Sequence, residues 1–171
     1  MIKIAAAAVI IFGCSACGFL KARQYQDRVL LLSDFIRTVA VLGVEMEYRR
    51  EALPDLFRRL EKNGSYAGSF FGEVRARYEN GAGLSLSECW EEALNHVYGS
   101  CPMSDADLSV FREFGEQLGK CGIAGQEQMI RVTIVRLEEL LAEARAEKDV
   151  KGKMYFSLGV AAGITMVILL I

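Results

Sequence analysis

The chain has 171 residues and a formal net charge of −2. It is therefore long enough for one domain and lacks the overall basic charge typical of nucleic-acid-binding proteins. The charges are unevenly distributed: Lys3 is the only charged residue in 1–20, and 154–171 contains none. The other 41 of the 42 charged residues lie in 21–153, which marks this middle segment as the water-soluble part.

The two ends of the chain are long apolar runs, Ile4–Leu20 and Met154–Ile171. As helices rising about 1.5 Å per residue, each would be roughly 26 Å long, just enough to cross a hydrocarbon core of about 30 Å. We therefore predict transmembrane helices at 1–20 and 154–171. A buried core helix is the alternative for the last run, and a transmembrane helix is the preferred interpretation.

Basic residues flank both predicted spans on the side of the middle segment. Positive residues stay in the cytoplasm when a membrane protein inserts, so 21–153 is predicted to be a cytoplasmic helical domain of a two-pass cell-membrane protein. The flanking basic residues are Lys21, Arg23, Arg28, Arg145, Lys148, Lys151 and Lys153.

The first apolar run also has an alternative interpretation as a lipoprotein signal. Ile11-Phe12-Gly13-Cys14 approximates the cleavage site of such a signal, and processing would remove residues 1–13 and place the domain outside the cell. Phe12 fits that pattern poorly, and Lys3 is the only basic residue before the apolar run. A retained anchor is the preferred interpretation.

Two segments of the middle carry apolar residues at steps of three and four, the pattern of an a/d seam on one helix face. The first seam comprises Leu32, Phe35, Val39, Leu42 and Met46. The second comprises Ile130, Ile134, Leu137, Leu141 and Ala144. Antiparallel helices with matching seams can bury each other, so we expect two helical stalks. Each should be continuous with its span, with Gly152 as a flex point in the second.

Shorter amphipathic helices are predicted between the stalks. Ser85-Leu86-Ser87-Glu88 is a capping box that begins a helix bearing Trp90, and Ser104 or Asp105 can cap the following helix. No segment shows sustained alternation typical of a strand. The predicted fold class is all-α: an antiparallel bundle of about five to six helices, flanked by the two transmembrane helices.

The sequence offers little for catalysis. His96 is the only histidine, which excludes a histidine metal cluster and leaves one candidate for a nucleophile–His–acid arrangement. No phosphate-binding loop with Gly-Lys-Ser/Thr is present. We predict a non-enzymatic protein without cofactor, metal, nucleic acid or small-molecule substrate. A membrane redox protein that uses Cys14 and Cys17 is the alternative, although apolar surroundings disfavour the reactive thiolate.

Small residues in the two apolar runs are predicted to pack the spans together. Gly159-x-x-x-Gly163 allows another helix backbone to approach closely, and the small-residue run from Gly13 to Gly18 could supply the complement. We therefore assign transmembrane packing to Gly13, Cys17, Gly159 and Gly163.

A charged patch follows the first stalk and continues into the next helix. It is either a solvated face or a docking surface whose arginines make bidentate contacts with carboxylates of a partner. The candidate interface residues are Glu47, Arg49, Arg50, Arg58 and Arg59.

Several segments together resemble the stage III sporulation protein AB family of endospore-forming bacteria. Each is weak alone, but their order and spacing are fairly specific. They are Glu45-Met46-Glu47-Tyr48, Trp90-Glu91-Glu92-Ala93-Leu94, Phe114-Gly115-Glu116-Gln117-Leu118-Gly119 and Lys153-Met154-Tyr155. One departure concerns Cys121-Gly122, which stand where family members often carry an aspartate.

The resemblance implies a component of the channel-like apparatus between mother cell and forespore. The soluble part of the family resembles the helical cytoplasmic domain of the platform protein of type II secretion machines, which couples a cytoplasmic ATPase to the membrane assembly. By analogy, the expected partners are sporulation channel components, including the ATPase encoded in the same operon. The expected location is the mother-cell side of the outer forespore membrane.

Overall fold

The helices follow one another along almost the whole chain in this computed structural model, which describes residues 2–49, 52–81, 83–118, 120 and 123–170. Every regular element within those ranges is helical, which confirms the predicted all-α class. The elements are α1 (Ile2–Arg49), α2 (Leu53–Glu61), α3 (Tyr66–Asn80), α4 (Leu86–Tyr98), α5 (Asp105–Gln117), α6 (Ile123–Glu147), a π-helical segment (Lys148–Gly152) and α7 (Lys153–Leu170).

The chain divides into two compact units. The terminal unit contains residues 1–29 and 142–171, and the central unit contains residues 30–141. Helix α1 is continuous through the first predicted span and the first stalk, as expected. The returning helix, in contrast, is interrupted by the π-helical segment that ends at Gly152, the predicted flex point.

Buried positions confirm the two predicted seams. Leu32, Phe35, Val39 and Leu42 of α1 and Leu137 of α6 are fully buried. The glycine at 43 lets the helices meet in the central unit, since a Cβ there would lie 3.1 Å from the Ile130 side chain. The remaining seam positions are buried or nearly so (Ile130, Leu141 and Ala144) or half-buried (Met46 and Ile134).

The core of the central unit is a cluster of aromatic rings. The ring of Phe35 in α1 stacks on that of Phe111 in α5 with centroids 3.6 Å apart. Trp90 in α4 makes an edge contact with Phe70 in α3, with centroids 4.8 Å apart. Because aromatic pairs add about 0.5–1.5 kcal/mol beyond their buried area, these rings fix the helices relative to one another inside the unit.

Polar side chains fix where α4 and α5 begin. Ser85 and Glu88 form the predicted capping box at α4, with the Ser85 N–H donating to Glu88 at 2.8 Å. Ser104, and not Asp105, caps α5 in a second box with Asp107. These contacts satisfy backbone N–H groups that have no partner within the helix.

Within the described part of the chain, no helix combines the length and the apolar composition needed to cross a membrane. Helices do occupy the described part of both segments, residues 2–20 and 154–170. The helical part of those two predictions is therefore confirmed, and the transmembrane part is not shown.

Candidate interaction sites

Helix α2 carries two of the predicted interface residues on its outer face. It begins with Pro54 in the first turn, where the missing N–H of proline costs nothing. Leu56, Phe57 and Leu60 are buried on the inner face. This amphipathic pattern leaves the arginines between them directed away from the core.

Arg58 and Arg59 lie side by side on α2, and each pairs with carboxylates of the same chain. Arg58 lies 3.4 Å from Asp55 and 3.2 Å from Glu79 of α3. Arg59 lies 3.7 Å from Glu45 of α1. These side chains are partly exposed, so each pair contributes little to stability. The two arginines nevertheless connect α2 to both neighbouring helices.

The other predicted interface residues are placed differently. Glu47 is exposed near the end of α1, where it lines a small groove of about 20 Å³ with Gly43 and Gln126. Arg49 is the last residue of α1, but its side chain lies outside the described part, as does the whole of Arg50. Arg58 and Arg59 are therefore neighbours on α2 that face α3 and α1 respectively, and Glu47 lies next to α6.

A network of ion pairs around α3 was missed by the sequence analysis. Arg75 donates to Glu61 of α2 at 2.9 Å and to Glu79 at 2.6 Å. Arg77 donates to Glu92 of α4 at 2.8 Å. The spacing of four residues between Arg75 and Glu79 was a readable signal, whereas the pairs between helices depend on the tertiary fold.

Two carboxyl groups of the central unit have lowered pKa values, from which the pH dependence of its stability can be predicted. The Arg136 guanidinium of α6 donates to Glu113 of α5 and lowers the pKa of that carboxyl below its ordinary value of 4.5. Hydrogen bonds from Ser85 likewise lower the pKa of Glu88. A carboxylate whose pKa is depressed by folding stabilises the native state above its unfolded pKa, and this contribution is lost as pH falls through the folded pKa.

The free energy of unfolding should therefore change little between neutral pH and about pH 5, and should fall as the pH drops below the ordinary carboxyl pKa. Urea unfolding followed by the fluorescence of Trp90, the only tryptophan, measures this at each pH. The Arg136→Gln variant should lose less stability on acidification, because its Glu113 lacks the cationic partner. An equal loss in both proteins would show that the pair does not contribute.

The terminal unit has its own cluster of polar contacts, next to the π-helical segment. Arg28 of α1 is buried, and its Nη1 donates to Glu147 at 2.8 Å. Lys151 also donates to Glu147, and both cations lower the pKa of that carboxyl, Lys151 more strongly. Beside them, the rings of Tyr25 and Tyr155 stack with centroids 6.0 Å apart. These contacts join α1 to the returning helix.

Glycine contacts in the terminal unit show where the backbones of α1 and α7 approach each other closely. A Cβ at Gly18 would lie 2.7 Å from the Tyr155 carbonyl oxygen and 3.1 Å from the Gly159 Cα. Gly159 is therefore at a close helix contact, but its partner is Gly18 and not Gly13, which has no atom within 4 Å of its would-be Cβ. Cys17 is exposed, and position 163 lies outside the residues whose packing is described.

The residues that could suggest chemistry have ordinary surroundings in the described part of the chain. His96 is exposed, with its Nδ1 3.4 Å from Glu73. Cys17, Cys89 and Cys101 are free thiols, and the side chain of Cys14 is not among those described. The described residues also include no group of three or more His, Cys, Asp or Glu arranged to hold a metal ion.

Comparisons with known proteins agree on one family. The family model described as Stage III sporulation protein AB matches residues 3–171. Stage III sporulation protein AB of Bacillus subtilis (strain 168) is 25% identical over 171 residues, which cover 99% of each chain. A solved structure of a stage III sporulation protein AB, SpoIIIAB, superposes with a TM-score of 0.65 at 20% identity. It covers 72% of this chain and 98% of its own, and it supports the helical fold.

Proposed function

The chain belongs to the stage III sporulation protein AB family, and from that premise we propose that it is a non-enzymatic membrane platform that docks a cytoplasmic ATPase of the sporulation apparatus. The observation that carries the proposal is the extent of the match. The family model covers residues 3–171, so the match includes the apolar ends as well as the central unit, and we propose that they act together.

Hydrogen bonds between polar side chains of the central unit and the backbone of other helices support the proposed scaffold role. Trp90 donates its indole N–H to the Phe111 carbonyl at 2.9 Å. Asp34 of α1 accepts from the Ala67 N–H at the start of α3 at 2.8 Å. Groups such as these hold the helices in a fixed arrangement, which is what a rigid docking platform requires.

The proposed docking surface is the outer face of α2 with Arg58 and Arg59. Both arginine side chains are partly exposed, 52% for Arg58 and 41% for Arg59, so a partner carboxylate can replace or share their present partners. Arginine makes paired hydrogen bonds with a carboxylate in a fixed geometry. An acidic surface on the ATPase would therefore be recognised by α2.

Reversing both charges with Arg58→Glu and Arg59→Glu should weaken binding to the purified ATPase severalfold at low salt, because attraction becomes repulsion. Calorimetric titration of the full chain in detergent micelles measures the affinity, and circular dichroism checks folding. Arg112→Glu with Arg136→Glu is the matched control. It changes the charge equally and also breaks two ion pairs between helices, with Glu91 and Glu113.

The control should bind the ATPase as the unchanged chain does. If both double variants lose affinity equally, the effect follows from net charge or lost ion pairs, and α2 is not the docking surface. If neither loses affinity, the charged face of α2 plays no part in binding.

The platform is further proposed to be anchored by spans at 1–20 and 154–171, with the middle in the cytoplasm of the mother cell. The support is the charge distribution: the last 18 residues contain no charged residue, and Lys3 is the only one in the first 20. Basic residues flank both segments, as expected on the cytoplasmic side. The intact mass of the mature protein should match the unprocessed chain. A diacylated chain beginning at Cys14 would contradict this placement.

A further inference from the structure

The terminal unit contains an open groove between α1 and α7. Its volume is about 450 Å³, within the range of roughly 300–1,000 Å³ typical of small-molecule sites. The groove lies beside the close contact of Gly18 with Gly159. It is lined by Gly13, Cys17, Gly18, Lys21, Tyr155, Leu158, Gly159 and Ala162.

The groove has a long axis and two different ends. Because α1 and α7 run antiparallel here, Lys21 and Tyr155 lie at one end, and Gly13 and Ala162 lie at the other. Eight residues separate Gly13 from Lys21 along α1, about 12 Å at the rise of an α-helix. Most of the lining consists of small or apolar side chains, so the groove accepts a narrow, extended apolar group.

The Lys21 end of the groove is polar and cationic. The Lys21 Nζ donates to Gln24 at 2.9 Å, which leaves further donor capacity on an exposed ammonium group. The stacked Tyr25 and Tyr155 rings lie at the same end. Tyrosine favours the level of lipid headgroups, where its ring is apolar and its hydroxyl remains hydrated.

The charge of the whole terminal unit matches that of an anionic ligand. Residues 1–29 and 142–171 contain eight basic and four acidic residues, a formal charge of +4, whereas residues 30–141 contain twelve basic and eighteen acidic residues. The unit that bears the apolar groove is therefore the positive part of a chain whose net charge is −2.

We propose that this groove binds an anionic phospholipid, with an acyl chain along the Gly13–Ala162 lining and the phosphate at Lys21. Basic residues beside apolar helices attract anionic lipids, and a groove walled by small residues gives the chain a defined seat between two helices. The proposal rests on the proposed membrane placement of the terminal unit. A helix from a second copy of this chain is the competing occupant.

The test reconstitutes the full chain into nanodiscs of equal parts phosphatidylcholine and phosphatidylglycerol and counts retained lipids by native mass spectrometry. The unchanged chain should retain phosphatidylglycerol in preference to phosphatidylcholine. Lys21→Gln should reduce that preference by about fivefold, whereas Lys153→Gln, an exposed lysine outside the groove, should change it little. Ala162→Phe should abolish retention by filling the groove.

Ala161→Phe is the matched control for the filled groove, because Ala161 is the exposed neighbour of Ala162 on α7 and does not line the groove. Equal retention by the two phenylalanine variants would overturn the lipid site. A dimer of the unchanged chain that Ala162→Phe dissociates would overturn it in favour of a second copy. A chain that does not comigrate with nanodiscs would overturn the membrane placement as well, which separates the two failures.

Discussion

Replacing Gly115 with alanine is expected to destabilise the central unit by about 2 kcal/mol, and replacement with valine should cost more. A Cβ at position 115 would lie 2.2 Å from Cδ1 of the Trp90 ring. That ring cannot easily move, because its N–H is bonded to the Phe111 carbonyl and its edges contact Phe70 and Phe114. Alanine normally stabilises a helix relative to glycine by about 1 kcal/mol, so the sign of the effect distinguishes the clash from helix propensity.

Trp90 makes this measurement direct, since it is both the residue displaced and the only tryptophan. Its fluorescence during urea unfolding gives the free energy of unfolding of the central unit. Gly13→Ala is the control, because that helical glycine has no atom within 4 Å of its would-be Cβ. A Gly115→Ala variant as stable as the unchanged chain would show that Trp90 is not packed against this glycine.

Replacing Gly18 with leucine is expected to separate α1 from α7 and to destabilise the terminal unit by about 3 kcal/mol. The atoms that a side chain at 18 would meet belong to the backbone of Tyr155 and Gly159, which cannot rotate away as a flexible side chain does. Separation would also weaken the stacking of Tyr25 on Tyr155 and the contact of Arg28 with Glu147.

The readout is thermal unfolding in detergent micelles, followed by helical circular dichroism. Gly13→Leu, with the same substitution on the same helix, should leave the midpoint nearly unchanged. If both leucine variants lowered the midpoint equally, the cause would be the added apolar bulk. The close approach at Gly18 would then not hold the two helices together.

Features that depend on neighbouring residues could be predicted from the sequence. The capping box at Ser85 uses a partner three residues away, and the seam around Phe35 repeats within a single helix. Both are local patterns whose physical cause lies within one or two helical turns. For the same reason, the all-α class followed from periodicity alone.

Contacts between distant residues could not be predicted in this way. The sequence suggests nothing about Asp34 capping a helix 33 residues later, at the Ala67 N–H. The Phe114-Gly115 pair belongs to a segment that resembles the family. The resemblance does not explain why position 115 is a glycine, which the structure does: a side chain there would collide with the Trp90 ring of another helix. In each case the pairing is set by tertiary packing, which overrides local propensity.

The predicted packing residues of the terminal helices show most clearly which contacts a sequence does not reveal. Composition located a small-residue run that includes both Gly13 and Gly18, and the structure places only Gly18 at the close contact. To choose between Gly13 and Gly18, one must know how two antiparallel helices are aligned along their length. The π-helical segment at Lys148–Gly152 lies between α6 and α7. Gly152 marked this place as a flex point, but no residue pattern indicated that the interruption would be a π-helix, which is a rare element.

The most direct test of the proposed platform is the distribution of the operon-encoded ATPase between membrane and soluble fractions of sporulating cells, with and without this chain. The account predicts that the ATPase is in the membrane fraction when the chain is present and becomes soluble when the chain is deleted. The Arg58→Glu, Arg59→Glu variant should shift the ATPase towards the soluble fraction while the variant itself stays in the membrane fraction. An ATPase whose membrane fraction is the same with and without the chain would contradict the proposed function.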